Sequence, residues 1–147
     1  MTTIREYSDE DWEAICRVHD RARPDELRGS CDPRAFVPLA EDPEAKDVHS
    51  SRKFVACDGE VVVGFVGVEG AYLSYLYVDP EYYGRGIGRR LLRLGMDLAG
   101  PEVNTIALDG NARALALYES EGFRAIRTFD CENAGYPCTC VRLELNP

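Results

Sequence analysis

No stretch of this 147-residue sequence approaches the ~20 consecutive apolar residues that a membrane-spanning helix needs, and so none is expected. The N-terminal segment, Met1-Thr2-Thr3-Ile4-Arg5-Glu6, has no basic stretch leading into an apolar core. It does not read as a secretory signal, which makes a cytoplasmic location the default expectation. Basic residues are in the minority, 17 against 26 acidic ones, giving a net charge of −9. That balance argues against bulk attraction to nucleic acid or an anionic membrane, and favours cationic partners only slightly. Repeats, linkers and low-complexity tracts are also lacking. The six cysteines include no Cys-x-x-Cys pair, and there is no His-x-x-x-His. No metal is therefore expected, and in a reducing compartment the cysteines read as thiols. What remains, 45% hydrophobic and 29% charged residues, is the composition of one globular domain over residues 1–147.

Periodicity places the elements. Thr3–Tyr7 reads as a strand. Ser8 with Asp11 forms a weak capping box, and Tyr7 and Trp12 stand where a hydrophobic staple would. Trp12, Ile15, Cys16, His19 and Ala22 then follow at helical spacing, so a helix is expected over about residues 8–22, with His19 packed in the core. Four prolines and seven acidic residues interrupt the pattern from Arg23 to Ser51. The segment reads as a short helix near Pro24–Gly29 and a long loop, either a flexible excursion or a substrate-facing lid. Arg52–Cys57, Glu60–Val68 and Ala71–Val78 form an antiparallel meander, its first turn at Asp58-Gly59. A helix over Gly88–Ala99, a strand over Asn104–Leu108, a helix over Asn111–Glu121 ended by Gly122, and strands over Phe123–Phe129 and Thr139–Leu145 complete the chain. Along the third meander strand, strict alternation places Tyr75 and Tyr77 with Leu73, opposite Tyr72, Ser74 and Leu76. The fold class is α/β, a mixed and mostly antiparallel sheet of about six or seven strands with about four helices, and a parallel crossover between Ala71 and Leu108.

The most informative stretch follows the third meander strand: Val78-Asp79-Pro80-Glu81-Tyr82-Tyr83-Gly84-Arg85-Gly86-Ile87-Gly88-Arg89-Arg90. A strand ends, the chain turns on three alternating glycines, and a helix begins. Glycines let successive backbone N–H groups converge, and the helix dipole adds positive potential, so the turn suits a pyrophosphate. Arg85, Arg89 and Arg90 add cationic side chains. The Gly-Lys-Ser/Thr ending of a Walker loop is absent, and only Ile87 separates the last two glycines, which excludes a dinucleotide fingerprint. The stretch resembles the acetyl-CoA pyrophosphate loop of the GNAT family of N-acetyltransferases, Arg/Gln-x-x-Gly-x-Gly/Ala. Gly86 and Gly88 take the small positions, and Tyr83 departs from the family's Arg or Gln. About 25 residues on, Asn111-Ala112-Arg113-Ala114-Leu115-Ala116-Leu117-Tyr118-Glu119-Ser120-Glu121-Gly122-Phe123 is similar to the family's Asn-x-x-Ala-x-x-x-Tyr-x-x-x-Gly-Phe at every named position.

The resemblance implies an acyl-CoA N-acyltransferase-like fold with a splayed parallel strand pair. It also implies acetyl-CoA as co-substrate and direct attack by a primary amine in a ternary complex, on a small-molecule or peptide acceptor. It assigns the cofactor to the backbone of Leu76, Tyr77 and Val78, to the turn Tyr83, Gly84, Arg85, Gly86, Ile87, Gly88 and Arg89, and to Asn111, Ala114 and Tyr118. Tyr118 would protonate the departing thiolate. The general base is open, with Glu69, at the turn into the third meander strand, as candidate. Homodimers are common in the family, though no residue here requires one. Two other readings stand beside this: a non-catalytic acyl-CoA-binding module or sensor, and a thiol-based metal or redox protein drawing on Cys131, Cys138 and Cys140. Cys138 and Cys140 share a strand face, and Tyr136 of the same hairpin is placed to influence the acceptor.

Overall fold

The computed structural model describes residues 1–147. Seven strands form one sheet in the order β1-β2-β3-β4-β5-β7-β6. They span Thr2–Glu6 (β1), Arg52–Asp58 (β2), Val61–Glu69 (β3), Tyr72–Val78 (β4), Asn104–Leu108 (β5), Arg124–Asn133 (β6) and Tyr136–Glu144 (β7). The helices are Trp12–Leu27 (α1), Asp47–Ser50 (α2), Ile87–Ala99 (α3) and Ala112–Ser120 (α4). Every pairing is antiparallel except that between β4 and β5, so the mixed sheet expected from the sequence is present. No helix is long and apolar enough to cross a membrane.

Strand β3 is buried at seven consecutive positions, Val62–Val68, because both faces of the sheet are covered. On one face α3 and α4 bring Ile87, Leu91, Leu92 and Tyr118 against Val63, Val66 and Leu73. On the other, α1 brings Ile15, Cys16 and Val18 against Val55, Val62 and Phe65. Gly95 lets α3 lie close to the sheet, since a Cβ there would stand 2.9 Å from Leu73 Cδ1.

The start of α1 follows the expectation. Ser8 and Asp11 make the complete capping box, and the Arg5 guanidinium donates two 2.8 Å hydrogen bonds to the Asp11 carboxylate. His19 is a core histidine, edge-on to Tyr77 at 5.0 Å, its Nδ1 2.9 Å from Asp20 Oδ1. Burial holds its pKa below the ordinary value.

Three expectations are corrected. First, α1 does not end near residue 22 but runs through Pro24 to Leu27. A proline inside a helix costs about 3 kcal/mol, yet burial of Ala22 and Leu27 and the pairing of Arg23 with Glu26 favour continuing it. Second, the following segment is anchored, not a flexible excursion. Ala35, Leu39, Ala45 and Val48 are buried; the Leu39 N–H donates to Asp20 Oδ1 at 2.9 Å, and the Tyr75 hydroxyl donates to Asp47 Oδ1 at 2.5 Å. Third, Tyr75 and Tyr77 do not share a face with Leu73. Gly67 pairs with Tyr75 and Val68 with Leu73, which leaves Ser74 as an extra residue in β4. The bulge reverses the alternation. Leu73 faces the α3 core while Tyr75 and Tyr77 pack on the α1 side.

Candidate active site

Strands β4 and β5 run parallel but meet only at their beginnings. Tyr72 opposes Asn104, the Asn104 N–H donates to the Ala71 carbonyl at 2.9 Å, and the Thr105 hydroxyl donates to the Leu73 carbonyl at 2.9 Å. Beyond that point no pairing joins them, and a cleft of about 850 Å³ opens between Leu76–Val78 on one side and Ile106–Ala107 on the other. An unpaired strand edge in such a wedge presents its backbone groups to an extended ligand as it would to another strand.

At one end of the cleft stands the glycine turn. Asp79 is buried and accepts from the Glu81 N–H at 3.0 Å, shaping the turn that begins at Pro80. Gly84 and Gly86 follow with φ of 77° and 80°, a left-handed backbone that side-chain-bearing residues rarely adopt. Gly86 caps α3, so the first amides of that helix lack intrahelical acceptors, the arrangement by which helix N-termini bind anions. Gly84, Gly86, Ile87 and Gly88 all line the cleft.

The expected cationic side chains are mostly engaged elsewhere. Arg89 lines the cleft, but its guanidinium pairs with Glu121 and donates to the Ser120 hydroxyl. Arg85 lies over the Tyr82 ring, and Arg90 donates to the Thr2 carbonyl. The cation at the turn is instead Arg113, whose guanidinium carbon lies 3.6 Å from the centroid of the Tyr83 ring. Arg113 holds an unspecified position in the Asn–Tyr motif, so the motif carries no signal for it. Tyr83, at the position where the resemblance breaks, is half-buried, donates to Asp25 Oδ2 at 3.2 Å, and has its pKa pushed up to about 12 by burial and by that carboxylate.

Across the cleft, α4 contributes Asn111, Ala114 and Tyr118. Asn111 caps the helix, its side chain accepting from the Ala114 N–H at 3.3 Å. Tyr118 is 6% exposed and packs edge-on against Phe123 with ring centroids 5.4 Å apart. Burial raises its pKa well above that of a free phenol, so the hydroxyl stays protonated.

Glu69 is exposed and pairs with Tyr72, at the end of β4 where β5 is still joined, and it does not line the cleft. The carboxylates that do are Asp25 and Glu26, on the part of α1 beyond Pro24. Glu26 Oε1 accepts from the Tyr77 hydroxyl at 2.7 Å and from Arg23 at 2.5 Å, and Arg23 also donates to Asn133 Oδ1 at 2.8 Å. Tyr77 is thus held protonated by burial and by Glu26. Neither carboxylate was legible beforehand, because the sequence placed both in a separate short helix after a break at Pro24.

The cysteines depart furthest from expectation. Four of the six are bonded in pairs, Cys31 with Cys138 and Cys131 with Cys140, while Cys16 and Cys57 are buried thiols. Cys138 and Cys140 do share a face, packed with Leu27, Ala35 and Leu108.

The comparisons agree with this geometry. Residues 49–125 match the Acetyltransferase (GNAT) domain. Among curated proteins, the chain is 29% identical over 86 residues to the peptidyl-lysine N-acetyltransferase YjaB of Salmonella typhimurium, covering 58% of this chain and 59% of that one. It is 42% identical over 80 residues to the N-alpha-acetyltransferase RimI of Mycobacterium tuberculosis, covering 48% and 51%. The matches thus span little more than half the length of these relatives. Among solved structures, a GCN5-related N-acetyltransferase from Rhodopseudomonas palustris superposes with a TM-score of 0.84 at 22% identity, covering 100% of this chain and 96% of that one. The domain match spans more than half of the chain, the fold agrees along its length, and the chain belongs to the GNAT family of acetyltransferases.

Proposed function

We propose that the protein transfers the acetyl group of acetyl-CoA to a primary amine by direct attack within a ternary complex. The observation that carries this reading is the β4–β5 cleft, with a left-handed glycine turn at its mouth and a buried, protonated tyrosine in its wall. The pyrophosphate sits on the amides that open α3, and Arg113, Gly84, Gly86 and Gly88 line its path. Pantetheine runs between the strands against the backbone of Leu76, Tyr77 and Val78, with Asn111 and Ala114 opposite. Donors on that strand edge stabilise the thioester oxygen as it gains charge.

Tyr118 donates the proton that the departing thiolate needs. The base passes from Glu69 to Glu26, which lines the same cleft and whose Oε1 is oriented by Tyr77 and Arg23. A carboxylate there attracts the incoming ammonium and receives its proton, directly or through water. The relatives' names, peptidyl-lysine and N-alpha-acetyltransferase, point to a peptide amine as acceptor. The net charge of −9 suits such a cation.

The test is CoA release from acetyl-CoA with a panel of lysine-bearing peptides, free N-terminal peptides and small amines. Turnover with at least one amine is expected, reduced about 100-fold or more in Glu26→Gln at unchanged acetyl-CoA affinity. Tight acetyl-CoA binding with no turnover on any amine would favour the sensor reading instead.

A further inference from the structure

Besides the main cleft, the molecule has a second one, of about 570 Å³, on the last hairpin. Its lining holds one sulfur-bearing residue from each disulfide, Cys131 and Cys138, together with Asp130, Glu132 and Ser30 and no basic residue. Cys138 lines this second cleft and not the first. Through its bridge to Cys31 it ties β7 to the segment that follows the last turn of α1, where the cleft residues Asp25 and Glu26 lie with Arg28 just beyond them. The Asn133 amide donates to Cys138 Sγ at 3.2 Å while its oxygen accepts from Arg23, the partner of Glu26. The same segment presses on the cofactor side: a Cβ at Gly110 would collide with the Gly29 carbonyl oxygen and the Ser30 hydroxyl, one residue before Asn111.

We propose that the Cys31–Cys138 bridge is a reversible thiol–disulfide clamp behind the cleft, acting on it through Asn133, Arg23 and the segment over Gly110, and opened from the hairpin cleft by a neutral or cationic dithiol. One thiolate of the dithiol attacks a bridge sulfur, giving a mixed disulfide and a free cysteine thiolate. The second thiol displaces the other cysteine. The bridge gains two electrons and two protons, and the dithiol becomes a cyclic disulfide. Closure is the reverse, with a low-molecular-weight disulfide as oxidant. Asp130 and Glu132 disfavour an anionic thiol such as glutathione, by an electrostatic penalty that salt screens. Opening frees residues 28–35 from β7 and releases the contact over Gly110. The clamp does not depend on what the main cleft binds; only its effect on acetyl transfer rests on the acetyltransferase reading.

The experiment is amide hydrogen exchange on the whole protein, oxidised and after dithiothreitol, with cysteine states fixed by differential alkylation and peptide mapping. Reduction is expected to speed exchange over residues 28–35 and 110–113 by about tenfold or more while β2 and β3 stay protected. Cys31→Ser should exchange at the reduced rate in either buffer, and Cys131→Ser/Cys140→Ser should still respond. Dithiothreitol should outpace glutathione at matched thiolate concentration, by a margin that narrows as salt is added. Identical exchange in the oxidised and reduced wild type would overturn the clamp, as would mapping that pairs Cys31 with any residue but Cys138. Loss of acetyl-CoA binding in both redox states with the exchange difference intact would count against the acetyltransferase reading and leave the clamp standing.

Discussion

Burial decides what Tyr118 can do. Its phenol lies between β5 and α4 with its pKa raised, so across neutral and alkaline pH it remains a proton donor and never a base. The pH profile should therefore show an acidic limb from the base or the amine, and no falling limb from this tyrosine below about pH 10. Tyr118→Phe is expected to lower kcat about 100-fold or more with acetyl-CoA affinity unchanged, as single-turnover kinetics and calorimetry would report. Asp11 illustrates a structural charge instead. The Arg5 guanidinium, with help from the Ser8 N–H, holds its carboxyl below the ordinary range against the opposing effect of burial. A depressed folded pKa means the stabilisation is complete above the unfolded value, about 3.9, and is lost as pH falls through the lower folded one. Asp11→Asn should thus cost about 1–2 kcal/mol near pH 7, and the difference from wild type should shrink in urea titrations below about pH 4.

At the scale of elements, the close seating of α3 on the sheet depends on Gly95. Gly95→Leu would drive a side chain into Leu73 and Val66. It is expected to destabilise by about 1–3 kcal/mol, seen as a lower urea midpoint at unchanged slope. How far elements could be read from sequence depended on whether a local signal opposed a tertiary one. The meander, β5, the capping box at Ser8 and the Gly122 stop were legible because pattern and turn chemistry agree there. Pro24 misled because local propensity loses to the burial of Leu27 and the Arg23–Glu26–Tyr77 network, contacts made with distant strands. That one boundary hid Asp25 and Glu26 from the candidate site. The bulge at Ser74 had no signature in the alternation it breaks, and it moved Tyr75 and Tyr77 to the other face. Cysteine pairing was likewise invisible, since Cys31 and Cys138 lie 107 positions apart and only the docking of the α1 exit on β7 brings them together.

For the molecule as a whole, the sheet's two halves are joined at the start of β4 and β5 and part company further on, so the cleft is a product of topology as much as of side chains. Tyr83–Gly88 at one end of this cleft and Asn111–Tyr118 across it contribute to its lining, which explains how segments far apart in sequence come together. Binding of acetyl-CoA in the β4–β5 cleft is measured by calorimetric titration of the purified protein with acetyl-CoA, in parallel with Gly86→Glu. One-to-one micromolar binding is expected for the wild type and none for the variant, with both folded by circular dichroism. A folded wild type that does not bind acetyl-CoA, or a Gly86→Glu variant that binds it as tightly, would rule out a cofactor site at the glycine turn.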